Sequence, residues 1–443
     1  MTKYVINGEN KLEGSVDISG SKNSALPIIA ACILNGGKTN LYNVPNINDT
    51  EGMLEILKNL GCNIKKKGKK ICIDSSKINK YDIDSKLMNK MRSSVIIVGA
   101  ILARFKKASF SYPGGCEIGA RPIDLHIKGF RKMGINIDES TGYIVGKCDK
   151  IKPTEIQLDF PSVGATENLI LVSVFTDGET VIRNVAMEPE IEDLQNFLNK
   201  MGAKVSGAGS NVIRIIGVKK LKEISYTIMP DRIETGTFLT YAAMSGGNVE
   251  VCKCNTEHII PILTKLEESG CRIYNEKNRL ALIAPKRLKA IDFQTLPYPG
   301  FPTDMQSVFL SMLTVAKGTS TVTENIFENR FKCVSELSKM GAKISVLGSS
   351  CVIKGVKRLH GTIVKAADLR GGAALIGAGI KARGTTVIEN GDFIERGYDN
   401  IEFKLKNLNI DIKKIKEHVN WNRRKKENRK WIMINLILMM NIL

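Results

Sequence analysis

The sequence predicts a mixed α/β (α+β) protein of two domains, each built from three similar units with buried helices inside and sheets outside. Three observations lead there. The chain has 443 residues, more than one hydrophobic core usually organises, so two domains of ordinary size are expected. A short motif that ends a helix recurs six times at spacings of 73, 68, 68, 71 and 68 residues. Upstream of that motif each unit carries a strongly apolar helix, then a Gly or Lys turn, then a strand. Units of this length exceed ordinary solenoid repeats, which run roughly 20–50 residues. They read better as two pseudo-symmetric sets of three.

Taken in order, the first unit has an apolar helix over Ser24–Leu34, a turn at Gly36-Gly37-Lys38 and a strand through Thr39-Asn40-Leu41. Leu54, Ile56, Leu57 and Leu60 then recur at helical spacing up to Gly61. A glycine there adopts the left-handed conformation that closes a helix, and a strand follows. The second unit ends its helix at Met133-Gly134. In the third, Thr166–Phe175 is the apolar helix, Asp177-Gly178 the turn and Thr180-Val181-Ile182 the strand, and Gly202 is the cap. Gly270 caps the fourth. The fifth runs from Asp304–Val315 through Gly318 to Gly341. The sixth runs from Gly371–Ile380 through Gly384 to Asn409, where Asn replaces Gly. Helices this apolar are buried on all sides, with amphipathic ones covering them.

Apolar content of 43% and charged content of 25% are those of a soluble globular protein. The N-terminus goes directly into a strand-like run, without a signal peptide, and no stretch has the roughly 18–20 apolar residues of a spanning helix. The expectation is a cytoplasmic protein. Of ten cysteines, Cys32, Cys62, Cys72, Cys271, Cys333 and Cys351 lie among apolar residues and read as buried thiols. Cys252-Lys253-Cys254 has no second pair to complete a zinc site. The net charge is +20, of which +7 falls in Lys413–Leu443. The remainder is too diffuse for a nucleic-acid stripe but suits a small anionic partner.

Chemistry concentrates where units begin. In Ser19-Gly20-Ser21-Lys22-Asn23, Lys22 and Asn23 open an apolar helix, where amides and the helix dipole favour an anion. A surface lysine at a helix entrance is the other reading. In Pro113-Gly114-Gly115-Cys116-Glu117-Ile118-Gly119-Ala120-Arg121-Pro122, Cys116 sits in a Gly-rich loop with Arg121 and His126 downstream. Cationic neighbours favour the thiolate, and the glycines suit a lid. A plain turn with a buried cysteine, and a core or capping His126, remain open. Arg92, Arg370 and Arg396 stand at other unit starts. Together with Lys22 and Arg121 they would form a strongly cationic interdomain cavity for a multiply charged anion. Asp231, Arg232 and Glu234 form an acid–base–acid run that is expected to neutralise itself.

These motifs, with Pro161-Ser162-Val163-Gly164-Ala165-Thr166, Pro230–Phe238, Phe301–Gln306, Phe327–Phe331 and Asp368-Leu369-Arg370, resemble the UDP-N-acetylglucosamine 1-carboxyvinyltransferase branch of the enolpyruvyl transferases. They occur in order over residues 1 to about 416, some 94% of the chain. The related shikimate-pathway enolpyruvyl transferases share the six-unit fold but lack the cysteine loop. The resemblance implies an inside-out α/β barrel in each of two domains joined by two crossings. It divides the chain into residues 22–229, residues 1–21 with 230–416, and an atypical basic and apolar tail, 417–443.

It also implies transfer of the enolpyruvyl group of phosphoenolpyruvate to the sugar's 3′-hydroxyl with release of phosphate, the first committed step of peptidoglycan synthesis. Lys22, Asn23, Arg121 and Arg396 would bind phosphoenolpyruvate. Cys116 would be the acid, would form a covalent adduct with that substrate and would be the residue alkylated by fosfomycin. Asp304 would take the hydroxyl proton. The nucleotide sugar would meet Arg92, Arg121, Pro122, Ile123, Asp124, Leu125, Ser162, Val163, Gly164, Asp304 and Ile326, with Asp368 and Arg370 supporting closure. Neither a metal nor an organic cofactor is implied. Gly371 stands where relatives commonly have Ala, and the tail has no family counterpart. That tail, with Trp421, Arg423-Arg424-Lys425-Lys426 and Trp431, reads as a frameshifted end, a weak membrane-surface anchor or a docking helix. A non-catalytic paralogue tethered by it is the alternative function.

Overall fold

Five glycines and one asparagine take positive φ at or just beyond the ends of six helices: Gly61 (109°), Gly134 (82°), Gly202 (103°), Gly270 (101°), Gly341 (93°) and Asn409 (63°). The six-fold repeat is therefore built as the spacing predicts, each helix closed by a residue for which left-handed backbone is cheap. The structure, a computed structural model, describes residues 1–114, 123–140 and 142–416. Cys116, Arg121, Pro122 and the 417–443 tail lie outside the described residues.

Helices in the first half are α1 (Lys22–Ala31), α2 (Asn48–Leu60), α3 (Ser85–Met88), α4 (Ile97–Phe105), α5 (Asp124–Lys132), α6 (Val163–Ser173) and α7 (Pro189–Met201). Those in the second are α8 (Arg232–Ser245), α9 (Ile260–Glu268), α10 (Thr303–Leu313), α11 (Cys333–Lys339), α12 (Leu369–Lys381) and α13 (Ile401–Lys406). The apolar helices α1, α4 and α6 are the inner elements of one half, with α4 packed on both others. In the other half α8, α10 and α12 pack against one another. Helices such as α2, α5 and α7 alternate buried and exposed faces and lie outside them. Two separate hydrophobic cores result. One draws on Ala25 through Ile228, the other on Tyr4 through Ile18 and Ile233 through Ile412.

The inner helices start one to three residues earlier than apolarity alone indicates, at Lys22, Val163, Thr303 and Leu369. At three of them a side-chain cap sets the start. The side chains of Ser21, Ser162 and Asp368 each accept a first-turn amide.

Among the described residues there are six sheets, and five have the same plan. Three strands pair antiparallel, and a fourth pairs parallel on one edge: Glu155–Gln157, Ile224–Thr227, Glu13–Asp17, Phe293–Gln294 and Ile363–Lys365. The sheet of Lys107–Phe110, Asn136–Asp138 and Ile144–Lys147 has three strands, and a lone parallel bridge, Asp82 to Ser109, marks where the fourth would run. Strand Thr2–Asn7 pairs with Thr385–Glu389 and Ile412–Lys416, so the N-terminus belongs to the second half. The chain crosses between halves near residues 18–22 and 228–232. There the two passes are bonded to each other, Ser21 N–H to Met229 O at 2.7 Å and Asp231 N–H to Ser19 O at 2.9 Å. No helix among the described residues is long and apolar enough to cross a membrane.

Candidate active site

The first turns of α1, α10 and α12 are tied together by polar side chains beside the crossings. Ser21 caps α1 by accepting the Ser24 amide at 3.3 Å, and the Lys22 amide donates to Asp231 Oδ2 at 3.0 Å. These two amides of α1 are therefore already engaged, contrary to the expectation of free amides there. What this turn presents is its side chains. Lys22 Nζ lies 2.7 Å from Asp49 Oδ2; Asp49 is buried at 4% side-chain exposure and Lys22 largely so at 12%. Asn23 Nδ2 donates to Asp304 Oδ2 at 3.3 Å.

Asp304, in the first turn of α10, receives Arg330 Nη2 at 2.6 Å on one oxygen and Arg370 Nη2 at 3.3 Å on the other. Arg370 stands two residues after the cap residue of α12, Asp368, whose Oδ1 accepts the amides of Arg370 and Gly371 at 2.9 and 2.8 Å. The Arg370 guanidinium also lies over the Tyr398 ring, 5.4 Å from its centroid. Asp368 Oδ2 is buried without a hydrogen-bond partner. A Cβ on Gly371 would stand 2.9 Å from it, so glycine leaves room there that Ala would fill. Arg396, from the 3-10 turn Gly391–Arg396, places Nε 2.9 Å from Asp49 Oδ1. A cavity of about 600 Å³ reaches this pair and is lined by Asp49, Met91 and Arg396 among others.

Lys22, Asn23, Asp304, Arg370 and Arg396 are thus brought together as the sequence suggests. The cavity is not purely cationic, however, because Asp49 and Asp304 interleave with the basic groups. Burial pushes the Lys22 ammonium below the ordinary lysine value; Asp49 opposes this, and Arg370 and Arg396 add to it. Burial raises the Asp304 carboxyl, but Arg370, Arg330 and Lys22 outweigh it and hold the group well below the usual carboxylate range. Asp49 is held low in the same way, by Lys22 and Arg396 against burial. Both carboxylates are ionised in the resting site.

The remaining predicted residues lie on other elements of the two halves. Arg92 opens the 3-10 turn Arg92–Ile96, which packs on α1 and α6. Ile123 precedes α5, which begins with Asp124 and Leu125. Ser162 caps α6, whose first residues are Val163 and Gly164. His126 is buried, with Nδ1 2.8 Å from Asn168 Nδ2, and belongs to the core of this half. Its ring also approaches Gly164, where a Cβ would lie 3.4 Å from Cε1. Ile326 is held by its amide, which donates to Glu324 Oε1 at 2.9 Å. Glu324 is itself fixed by the hydroxyls of Thr295 and Thr303.

The Asp231-Arg232-Glu234 run does not neutralise itself, because successive residues of a helical turn point in different directions. Asp231 caps α8, Arg232 Nε pairs with Glu190 at 3.0 Å, and Glu234 pairs with Lys404 at 2.6 Å. Asp49, Arg330 and Glu324 are the site residues to which sequence reasoning assigned no role. Arg330 lies inside the Phe327–Phe331 motif, but nothing in the local sequence marks Asp304 as its partner.

Comparison with known proteins identifies the family. The family EPSP synthase (3-phosphoshikimate 1-carboxyvinyltransferase) matches residues 6–405. UDP-N-acetylglucosamine 1-carboxyvinyltransferase 2 of Caldanaerobacter subterraneus is 51% identical over 416 residues, covering 94% of this chain and all of that protein. UDP-N-acetylglucosamine 1-carboxyvinyltransferase 2 of Clostridium tetani is 47% identical over 417 residues, again 94% of this chain and all of the relative. Among solved structures, the enolpyruvyl transferase NikO from Streptomyces tendae superposes with a TM-score of 0.85 at 22% identity, covering 94% of this chain and 99% of that one. EPSP synthase from Acinetobacter baumannii gives 0.73 at 17% identity, covering 94% and 100%. These two show the shared fold, mixed α/β with a two-domain inside-out barrel. With relatives this similar over their full length, the chain belongs to the enolpyruvyl transferase family, in its UDP-N-acetylglucosamine 1-carboxyvinyltransferase branch.

Proposed function

We propose that this protein transfers the enolpyruvyl group of phosphoenolpyruvate to the 3′-hydroxyl of UDP-N-acetylglucosamine, releasing phosphate by addition and elimination. The observation that supports this most is the convergence of Lys22, Arg370 and Arg396 on two ionised carboxylates between the two halves. Such a site offers cations to a small, multiply charged substrate and a carboxylate to a hydroxyl proton. Lys22, Asn23 and Arg396, with Arg121, bind the phosphate and carboxylate of phosphoenolpyruvate. Cys116 gives a proton to its methylene carbon, which makes the neighbouring carbon electrophilic; this role and that of Arg121 rest on the sequence alone.

The sugar hydroxyl attacks that carbon and its proton passes to Asp304. Because two arginines lower the basicity of Asp304, this transfer is favourable only as the oxygen bonds to carbon and becomes acidic. In the elimination a proton returns from the new methyl group to the Cys116 thiolate as the carbon–phosphate oxygen bond breaks, and the cationic groups stabilise the departing phosphate. The nucleotide sugar lies along Arg92, Ile123–Leu125, Ser162–Gly164 and Ile326. The reaction places the protein at the start of peptidoglycan synthesis, in the cytoplasm. Phosphate release should require phosphoenolpyruvate and UDP-N-acetylglucosamine together. Release with shikimate 3-phosphate in place of the nucleotide sugar, or none with either acceptor, would overturn the reading.

A further inference from the structure

We infer that Asp49 is a positioning residue for phosphoenolpyruvate: its carboxylate fastens the Lys22 ammonium to the Arg396 guanidinium across the two halves and keeps both aligned for the substrate's anionic groups. This rests on the enolpyruvyl-transfer reading above and gives that reaction a residue that touches neither substrate.

Asp49 lies in the first turn of α2, where the helix dipole favours a carboxylate. Its oxygens divide the work. Oδ2 takes Lys22 Nζ at 2.7 Å, while Oδ1 takes Arg396 Nε at 2.9 Å, with a longer contact from Arg396 Nη2 to Oδ2 at 3.5 Å. Lys22 and α2 belong to the first half and Arg396 to the second, so one carboxylate spans the cleft. Donors remain for an oxyanion. An ammonium has three N–H groups and a guanidinium five, and Asp49 occupies only some of them.

The charges around Lys22 show why this carboxylate is needed. Asp49 faces it from α2, Arg370 from α12 and Arg396 from the 3-10 turn, while Asp304 is a more distant anion on α10. Asp304 is itself held by Arg330 and Arg370. Asp49 is thus the carboxylate in contact with the ammonium. Without it, a buried lysine beside two arginines would shed its proton or swing away, and a neutral amine holds phosphate poorly.

The test compares the full chain with Asp49→Asn, which keeps size and hydrogen bonding but removes the charge, by following phosphate release across pH. Removing the anion lowers the pH at which Lys22 loses its proton. The alkaline limb of kcat/KM for phosphoenolpyruvate should therefore move down by about one pH unit or more. KM for UDP-N-acetylglucosamine should stay within about twofold. Asp49→Glu, which restores the charge, should return the limb toward its original position. Asp49→Ser, also tolerated in a first helical turn, replaces the Asn variant if that one does not fold. An unmoved limb, or equal losses for both substrates with an unchanged profile, would reduce Asp49 to a structural role and overturn the inference. Absence of turnover in the unmodified chain would instead overturn the reading of the reaction.

Discussion

Asp304 is set by its neighbours more than by its own chemistry. Arg330, 3% exposed, holds one oxygen, and Arg370, 4% exposed, holds the other. A carboxylate so placed is ionised throughout the working pH range, because depression of its pKa means protonation only in strong acid. Its proton-accepting role predicts that Asp304→Asn lowers turnover by roughly 10²–10⁴-fold, the usual worth of a positioned base. In the unmodified chain no acidic limb above about pH 4 should belong to this group. Rates of phosphate release from pH 4 to 9 check both statements, and turnover within tenfold of the original would remove Asp304 from the chemistry. Arg330 was invisible as a partner of Asp304 because 26 residues separate them, and Asp49 as a partner of Arg396 because 347 do. Spacing along a chain reports helix faces and turns, whereas these pairs are made by the docking of distant units.

At the scale of elements, the helix ends were legible and the helix crossings were not. Positive φ favours Gly and, after it, Asn, so Gly61, Gly134, Gly202, Gly270, Gly341 and Asn409 announce themselves six times over. Lys22 and Asn23 were found for a similar reason, as polar residues opening an apolar helix. By contrast, the α4–α6 crossing depends on a buried amide whose partners nothing in the local sequence marks. Asn168 Oδ1 accepts the Gly99 amide at 2.7 Å, satisfying one of the orphan donors in the first turn of α4. Its Nδ2 donates to Val95 O at 2.9 Å and contacts His126 Nδ1 at 2.8 Å. The helices approach so closely that a Cβ on Gly99 would stand 2.4 Å from Asn168 O. Gly99→Ala should therefore destabilise the first half by about 1–3 kcal/mol, despite the better helix propensity of alanine. Denaturant unfolding measures this, and an unchanged or raised midpoint would show that the crossing yields freely.

For the whole molecule, the question is how two barrels with separate cores behave as one body. Part of the answer is the buried ionic knot at the crossings. Ser19 N–H donates to Glu234 Oε2 at 2.7 Å, and Lys404 Nζ donates to Glu234 Oε1 at 2.6 Å and to Ser19 Oγ at 2.8 Å. Lys69, on the first half, reaches Asp399 on the second at 3.1 Å and Ser19 Oγ at the same distance. Tyr226 Oη donates to Asp193 at 2.6 Å, and Ser24 Oγ bonds the same carboxylate, which fixes the return crossing against α1. Glu234 is 3% exposed and Lys404 12%. Replacing one partner leaves the other buried charge uncompensated, a loss of roughly 3–5 kcal/mol when a buried pair is broken. Glu234→Gln keeps an acceptor for the Ser19 amide but removes the charge opposite Lys404. Its effect should extend beyond the half that contains it, because Ser19 lies in the crossing segment that leads directly into α1. Hydrogen exchange read by mass spectrometry should therefore quicken in α1 as well as in α8. Faster exchange confined to α8 would mean that the crossings pass the chain between the barrels without coupling them.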